Sequence, residues 1–206
     1  MARGALRTLF IHALGRGYFT LTAHLPLQEE VMEGAALIAD ALERINRILH
    51  RAMDGMPAEM LNTQPGPAAN SMSWLAWHLC RVQDHHTSDL LELPQLWVSD
   101  GWHEKFGMAK DEKETGTGHT PEQVEALKVD SADLPLGYAD AVFERAKQYL
   151  ATMKPADLDA EINEPQYDPL PTVGVRLVSI ISDNIQHAGQ VMYVRGLLER
   201  QGWLGV

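Results

Sequence analysis

The sequence predicts an all-α protein: an antiparallel four-helix bundle with a long loop and a short extra helix between the second and third helices. Three observations lead there. Four long segments repeat apolar residues at the i, i+3, i+4 spacing of one helical face. No segment alternates apolar and polar residues in the strict manner of a half-buried strand. Between the four lie loops rich in Gly, Pro and Asp that let the chain turn back, with or without a non-sequential crossover.

Taken in chain order, the first helix is expected over 27–51, where Val31, Ala35, Ile38, Leu42, Ile45 and Leu49 share a face. Asp54-Gly55-Met56-Pro57 stops it, and Gln64-Pro65-Gly66-Pro67 makes the following loop. Asn70 or Ser71 is the expected N-cap of the second helix, whose apolar residues include Met72, Leu75, Ala76, Leu79 and Val82 and which Pro94 closes. Residues 94–119 form the longest irregular stretch, and a loop of that length is usually functional or partly structured. Thr120-Pro121-Glu122-Gln123 has a capping-box pattern with proline at the first helical position, opening a short helix to 127. The third long helix is expected over 136–153, with Tyr138, Val142, Ala146 and Leu150 on one side. Thr172 then caps the fourth, expected over 173–201, and Gly202 marks its end.

The chain of 206 residues suits one domain, or a domain with an extension. Residues 1–26 read as an N-terminal extension and 27–206 as the bundle domain. The first 28 residues carry Arg3, Arg7 and Arg16 and no acidic residue, and Glu29 opens the acidic remainder. A signal peptide fits poorly, because the apolar run from Thr8 to Leu14 is short and interrupted by His12. A formal net charge of −11 argues against nucleic acid and against an anionic membrane surface as partners. No stretch reaches the roughly 20 apolar residues that span a bilayer. With Cys80 the single cysteine, no internal disulfide can form, and a reducing cytoplasm is the expected compartment.

Chemistry concentrates on the fourth helix. Asp183 and His187 are four residues apart, so they stack on one face about 6 Å apart along the axis. Gln190 follows one turn on, then Val194 and Leu197, so three polar groups interrupt a stripe that otherwise reads as core. A buried aspartate is costly unless it is paired or ligates a cation. One reading is a hydrogen-bonded Asp183–His187 pair on a partly wet face. The other adds His78, from the apolar run Trp74-Leu75-Ala76-Trp77-His78-Leu79 of the second helix, to give two histidines and one carboxylate. Such a set suits Zn, Fe, Ni or Mn and leaves positions open for water or substrate.

Rival groups are weaker. His85 and Asp89 are also four apart, with His86 adjacent, but His85 lies two turns from His78, about 10 Å along the helix, so the two cannot share an ion. His119 could reach a site from its loop, while His50 and His103 have no partner pattern. Cys80 reads as a small buried group, and no nucleophile elbow, phosphate-binding loop or dinucleotide fingerprint is present.

Trp77-His78-Leu79 with Arg81-Val82-Gln83-Asp84, and Asp183-x-x-x-His187-Ala188-Gly189-Gln190 followed by Tyr193-Val194-Arg195-Gly196, resemble the DinB-like (YfiT-like) superfamily of metal-dependent enzymes. Trp102-His103-Glu104-Lys105-Phe106-Gly107 and Thr115-Gly116-Thr117-Gly118-His119-Thr120 are similar to a branch of it related to thiol-dependent transferases. The resemblance implies a four-helix bundle whose metal is held by one histidine of the second helix and a His-x-x-x-His pair of the last. Here Asp183 replaces the first histidine of that pair, which keeps a ligand and adds negative charge.

The resemblance further implies a divalent ion, Zn first with Ni, Fe or Mn as alternatives, at His78, Asp183 and His187. It implies a low-molecular-weight thiol (mycothiol, bacillithiol or glutathione type) transferred to a small-molecule substrate, or a metal-assisted hydrolysis. Gln190, Arg81, Asp84 and His119 are the candidates for catalytic or pocket-lining roles, and a homodimer is expected by analogy. The alternative is a non-catalytic, stress-linked bundle that binds a metal or small molecule.

Overall fold

The computed structural model describes residues 32–202, and these are helical apart from turns and one isolated bridge between Glu161 and Thr172. The helices are α1 (Gly34–Met53), α2 (Ala58–Leu61), α3 (Met72–Leu91), α4 (Leu96–Ser99), α5 (Trp102–Lys105), α6 (Pro121–Ala126), α7 (Asp133–Thr152) and α8 (Val173–Glu199), with a 3-10 turn at Pro155–Asp159. The expected N-terminal extension, residues 1–26, and the first residues of the expected first helix lie outside the described residues.

Side-chain caps set the starts of α3, α6 and α8. The Ser71 hydroxyl accepts the amide N–H of Trp74, and Thr172 accepts that of Val175, each satisfying a first-turn donor that has no partner within the helix. Thr120 and Gln123 exchange both bonds of a capping box, with Pro121 at the first helical position. The third long helix starts at Asp133, three residues before the expected 136. Pro135 falls in its first turn, where the missing N–H costs nothing. The last helix ends at Glu199, ahead of the expected 201, because Arg200 takes a left-handed conformation (φ 54°) and Gln201 N–H closes back on the Gly196 carbonyl.

The long helices touch in a ring: α1 packs on α7 and α8, and α3 packs on α7 and α8, so α1 and α3 are diagonal. Their directions follow from which side chains meet. His78 faces His187 while His86 faces Arg176, so α3 and α8 are antiparallel. Arg195 near the end of α8 donates to the carbonyls of Arg51 and Ala52 near the end of α1, and Leu158 contacts the starts of both helices, so α1 and α8 are parallel. Tyr138 bonds Asp84 while Arg145, two turns on, bonds Ser88, so α3 and α7 also run the same way. A parallel pair cannot be joined by a tight turn, and residues 92–132, with α4, α5 and α6, carry the chain back along the bundle. The long irregular stretch is therefore the crossover itself.

The core holds Ile38, Leu42, Ile45 and Leu49 of α1, Leu75, Trp77 and Leu79 of α3, Tyr138 and Val142 of α7, and Leu177 and Ile180 of α8. No helix among the described residues is long and apolar enough to cross a membrane.

Candidate metal centre

On α3, residues 100° apart around the axis serve different neighbours. His78 turns to α8, where its ring meets that of His187 edge-on with centroids 4.7 Å apart. Asp183 sits one turn before His187 on α8, with Oδ1 3.6 Å from His187 Nε2. One ligand atom from each of His78, Asp183 and His187 lies within 4.8 Å of the others. The two helices thus bring together the three residues that spacing singled out. Their stripe on α8 is core only in part: Val194 is buried, but the Asp183 and His187 side chains are 33% and 19% exposed, Gln190 is exposed, and Leu197 is 48% exposed. The cluster lies at the edge of the α3–α8 seam, open on one side.

Hydrogen-bond polarity decides what the imidazoles can offer. His78 Nδ1 is 2.5 Å from the Thr115 carbonyl, which can only accept, so Nδ1 carries the proton and Nε2 keeps its lone pair. His187 Nδ1 is 2.7 Å from Gln190 Oε1, with the same consequence. Both rings therefore present a bare Nε2, each oriented by a partner on its far nitrogen, as metal-binding histidines usually are. Asp183 Oδ2 is buried and has no hydrogen-bond partner among the described residues. An orphaned carboxylate oxygen beside two available imidazole nitrogens fits a divalent cation of the N/O-binding kind.

Charge in the cluster is balanced between its members. Burial holds His78 below the ordinary imidazole range, against the pull of its bond to Thr115. His187 is held above that range by Asp183, although at 3.6 Å their contact is too long for a well-formed hydrogen bond and acts chiefly through charge. Burial pushes the Asp183 carboxyl up, but His187, with smaller help from His78 and His86, outweighs it and holds the group below the ordinary range.

The sign of the pH effect follows. In the metal-free protein the His187–Asp183 attraction is complete below the unfolded imidazole pKa and is lost as pH rises through the raised pKa of His187. A metal competes with that proton, so its affinity is expected to climb with pH until His187 is neutral. An NMR titration of metal-free protein should put His187 above a free histidine, and Asp183→Asn should bring it down. A His187 pKa unaffected by Asp183→Asn would contradict this electrostatic picture.

A second group, His85, His86 and Asp89, also has ligand atoms within 4.8 Å of one another, but its hydrogen bonds point the wrong way. Arg81 donates to Gln95 Oε1 at 2.8 Å, which turns Gln95 Nε2 toward His85 Nδ1 at 2.9 Å. His85 Nδ1 must accept, so its proton sits on Nε2, facing Asp89. His86 Nε2 faces Arg176, and burial together with that charge lowers its pKa to about 4. This group offers no pair of free imidazole nitrogens. A cavity of about 640 Å³ adjoins it, lined by His86, Asp89, Glu164 and Arg176 among others, and none of His78, Asp183 and His187 lines that cavity.

Three residues expected to line the pocket are placed elsewhere. Arg81 and Asp84 have no exposed surface. Asp84 accepts the N–H of Leu96 and Trp97 at 2.9 and 2.7 Å and the hydroxyls of Ser88 and Tyr138 at 3.0 and 2.7 Å. Arg81 donates to Tyr138, to Gln95 and to the carbonyls of Glu112 and Glu114, with its guanidinium over the Trp97 ring. These two residues tie the crossover to α3 and α7. His119 has both nitrogens engaged, Nδ1 by the Trp74 indole N–H and Nε2 by Glu114, so it has none to offer a metal. Only Gln190 remains at the cluster.

Residue spacing gave no sign of several participants. The Thr115 carbonyl comes from the crossover, and no side-chain pattern marks a backbone group. Below the cluster, Asn184 Nδ2 donates to Gln83 Oε1 at 2.6 Å, leaving Asn184 Oδ1 and Gln83 Nε2 buried without partners among the described residues. Cys80 is fully buried, and burial pushes its thiol well above the ordinary range, which removes it as a nucleophile.

A model of the DinB superfamily matches residues 41–191. A crystal structure of a conserved protein from Enterococcus faecalis is similar to this chain with a TM-score of 0.76 and 32% identity, covering 83% of this chain and all of that one. Among curated proteins none matches.

Proposed function

This chain belongs to the DinB superfamily, and on that premise we propose that His78, Asp183 and His187 hold a divalent metal ion used on a small molecule. The observation that carries the reading is the buried, unpartnered Oδ2 of Asp183 beside two imidazoles whose other nitrogens are already engaged. Two neutral imidazoles and one carboxylate suit zinc, with nickel, iron or manganese compatible. When bound, such an ion supplies Lewis acidity that makes a ligated thiol or water a nucleophile at neutral pH.

The chain's own residues would do the rest. His78 and His187 would each give an Nε2 lone pair, and Asp183 would give one carboxylate oxygen. Gln190 would fix the ring of His187 through Nδ1. The exposed side of the cluster would admit the substrate, while Trp74, stacked on His78 at 4.8 Å between centroids, would close the other side to water. No protein nucleophile is needed. The activity proposed first is transfer of a low-molecular-weight thiol to a small electrophile, with metal-assisted hydrolysis as its variant. Tag-free protein incubated with zinc, a thiol and an electrophile should consume the thiol, and His78→Ala should not. Unchanged turnover in His78→Ala would remove the mechanism. Zinc-dependent stabilisation without consumption of thiol or ester would leave a non-catalytic metal-binding protein.

A further inference from the structure

We propose that Glu114, Gly116 and His119 are positioning residues for His78, closing a ring of contacts that starts and ends on that imidazole. The proposal rests on the metal reading above, but its geometry lies in the crossover loop and not in the ligands. His78 Nδ1–H donates to the Thr115 carbonyl, so the orientation of the Thr115 peptide fixes both the tautomer and the rotation of the ring. That peptide continues into Gly116, whose N–H donates to Glu114 Oε1 at 2.7 Å. The same Glu114 oxygen accepts His119 Nε2–H at 3.1 Å. His119 Nδ1 accepts the Trp74 indole N–H at 3.1 Å. Trp74 then lies flat on His78, with an interplanar angle of 11°.

Every polar direction around the ring is determined. An indole nitrogen only donates, so His119 Nδ1 must accept. Its proton is then on Nε2, and Glu114 must receive it. Gly116 makes the closure possible. It has φ +89°, and a Cβ there would stand 2.6 Å from Trp77 and 2.9 Å from Trp74. His119 also stacks on Trp77, with centroids 5.8 Å apart at 17°, which holds the loop against α3 from the other side. Glu114 thus serves as an acceptor of two hydrogen bonds, and His119 as a donor and acceptor at fixed separation.

The roles can be separated from mere loop stability with paired substitutions in the full-length protein. Glu114→Ala and His119→Leu remove the hydrogen bonds, whereas Glu114→Gln keeps an acceptor oxygen and His119→Gln keeps one donor and one acceptor. Zinc affinity is expected to fall about tenfold in the first pair, the scale typical of partners behind a metal ligand, and to survive in the second pair. The visible absorption of bound Co2+ should change shape in the first pair only. Imidazole 15N shifts of His78 in metal-free protein should report the Nδ1–H tautomer in the parent and the Gln variants, and a mixture in Glu114→Ala and His119→Leu. Loss of affinity in the Gln variants, or parent-like affinity and tautomer in all four, would overturn the proposal. Should the parent bind no metal, the metal reading fails, while the 15N shifts still decide the ring.

Discussion

Removing any one of His78, Asp183 and His187 is expected to lower zinc affinity by at least about a hundredfold, beyond the 10–100-fold cost of losing a partner behind the ligands. The three offer their donor atoms within 4.8 Å of one another, and no other histidine or acidic residue among the described residues completes a group with them. Zinc at about a hundred times its dissociation constant should stabilise the parent by about 2.7 kcal/mol. For a domain of this size that corresponds to a rise in melting temperature of roughly 5–10 °C. Asp183→Ala and His187→Ala should lose that rise, as should His78→Ala, although the last also empties a packed position beside Trp74 and melts lower on its own account. His85→Ala should keep it, because its ring is not placed to ligate. A rise that persists in His187→Ala and vanishes in His85→Ala would move the site to the other cluster.

The second large effect lies away from the metal. Asp84→Ala is expected to destabilise the fold by about 3–5 kcal/mol, as breaking a buried ion pair does. Asp84 has no exposed surface and receives four hydrogen bonds, two of them from the backbone of Leu96 and Trp97, with Arg81 3.6 Å away. Without it the Arg81 guanidinium loses its carboxylate and two buried amides lose their acceptor. The crossover is then released from α3 where it begins. Urea unfolding should show the loss, while zinc bound by the remaining folded protein should weaken by no more than about tenfold, as expected when the crossover's hold on His78 is loosened. An Asp84→Ala protein of parent stability that fails to bind zinc would instead make this residue part of the metal site.

The contrast between His78 and Asp84 shows what was legible in the sequence. The helical spacing of Asp183 and His187, with an isolated histidine in a tryptophan-rich run, left the three-residue group as one of two readings, and the family resemblance favoured it. The caps at Ser71, Thr120 and Thr172 were legible, since each is a local rule. Arg81 and Asp84 stand in the same motif as His78, but three residues carry the helix about 300° round to Arg81 and six carry it about 240° round to Asp84, toward α7. Reading a motif as a line of text put them in a pocket; the helix puts them in a buried network. His119 needed knowledge of a loop conformation that no periodicity encodes. The parallel course of α3 and α7 was likewise hidden, although the length of the segment between them was the trace it left.

The most direct measurement is anomalous diffraction at the zinc edge from crystals of tag-free protein grown with zinc. One peak within coordination distance of His78 Nε2, His187 Nε2 and an Asp183 oxygen is the expected result. A peak at His85, His86 and Asp89, or no peak between α3 and α8, would contradict the account.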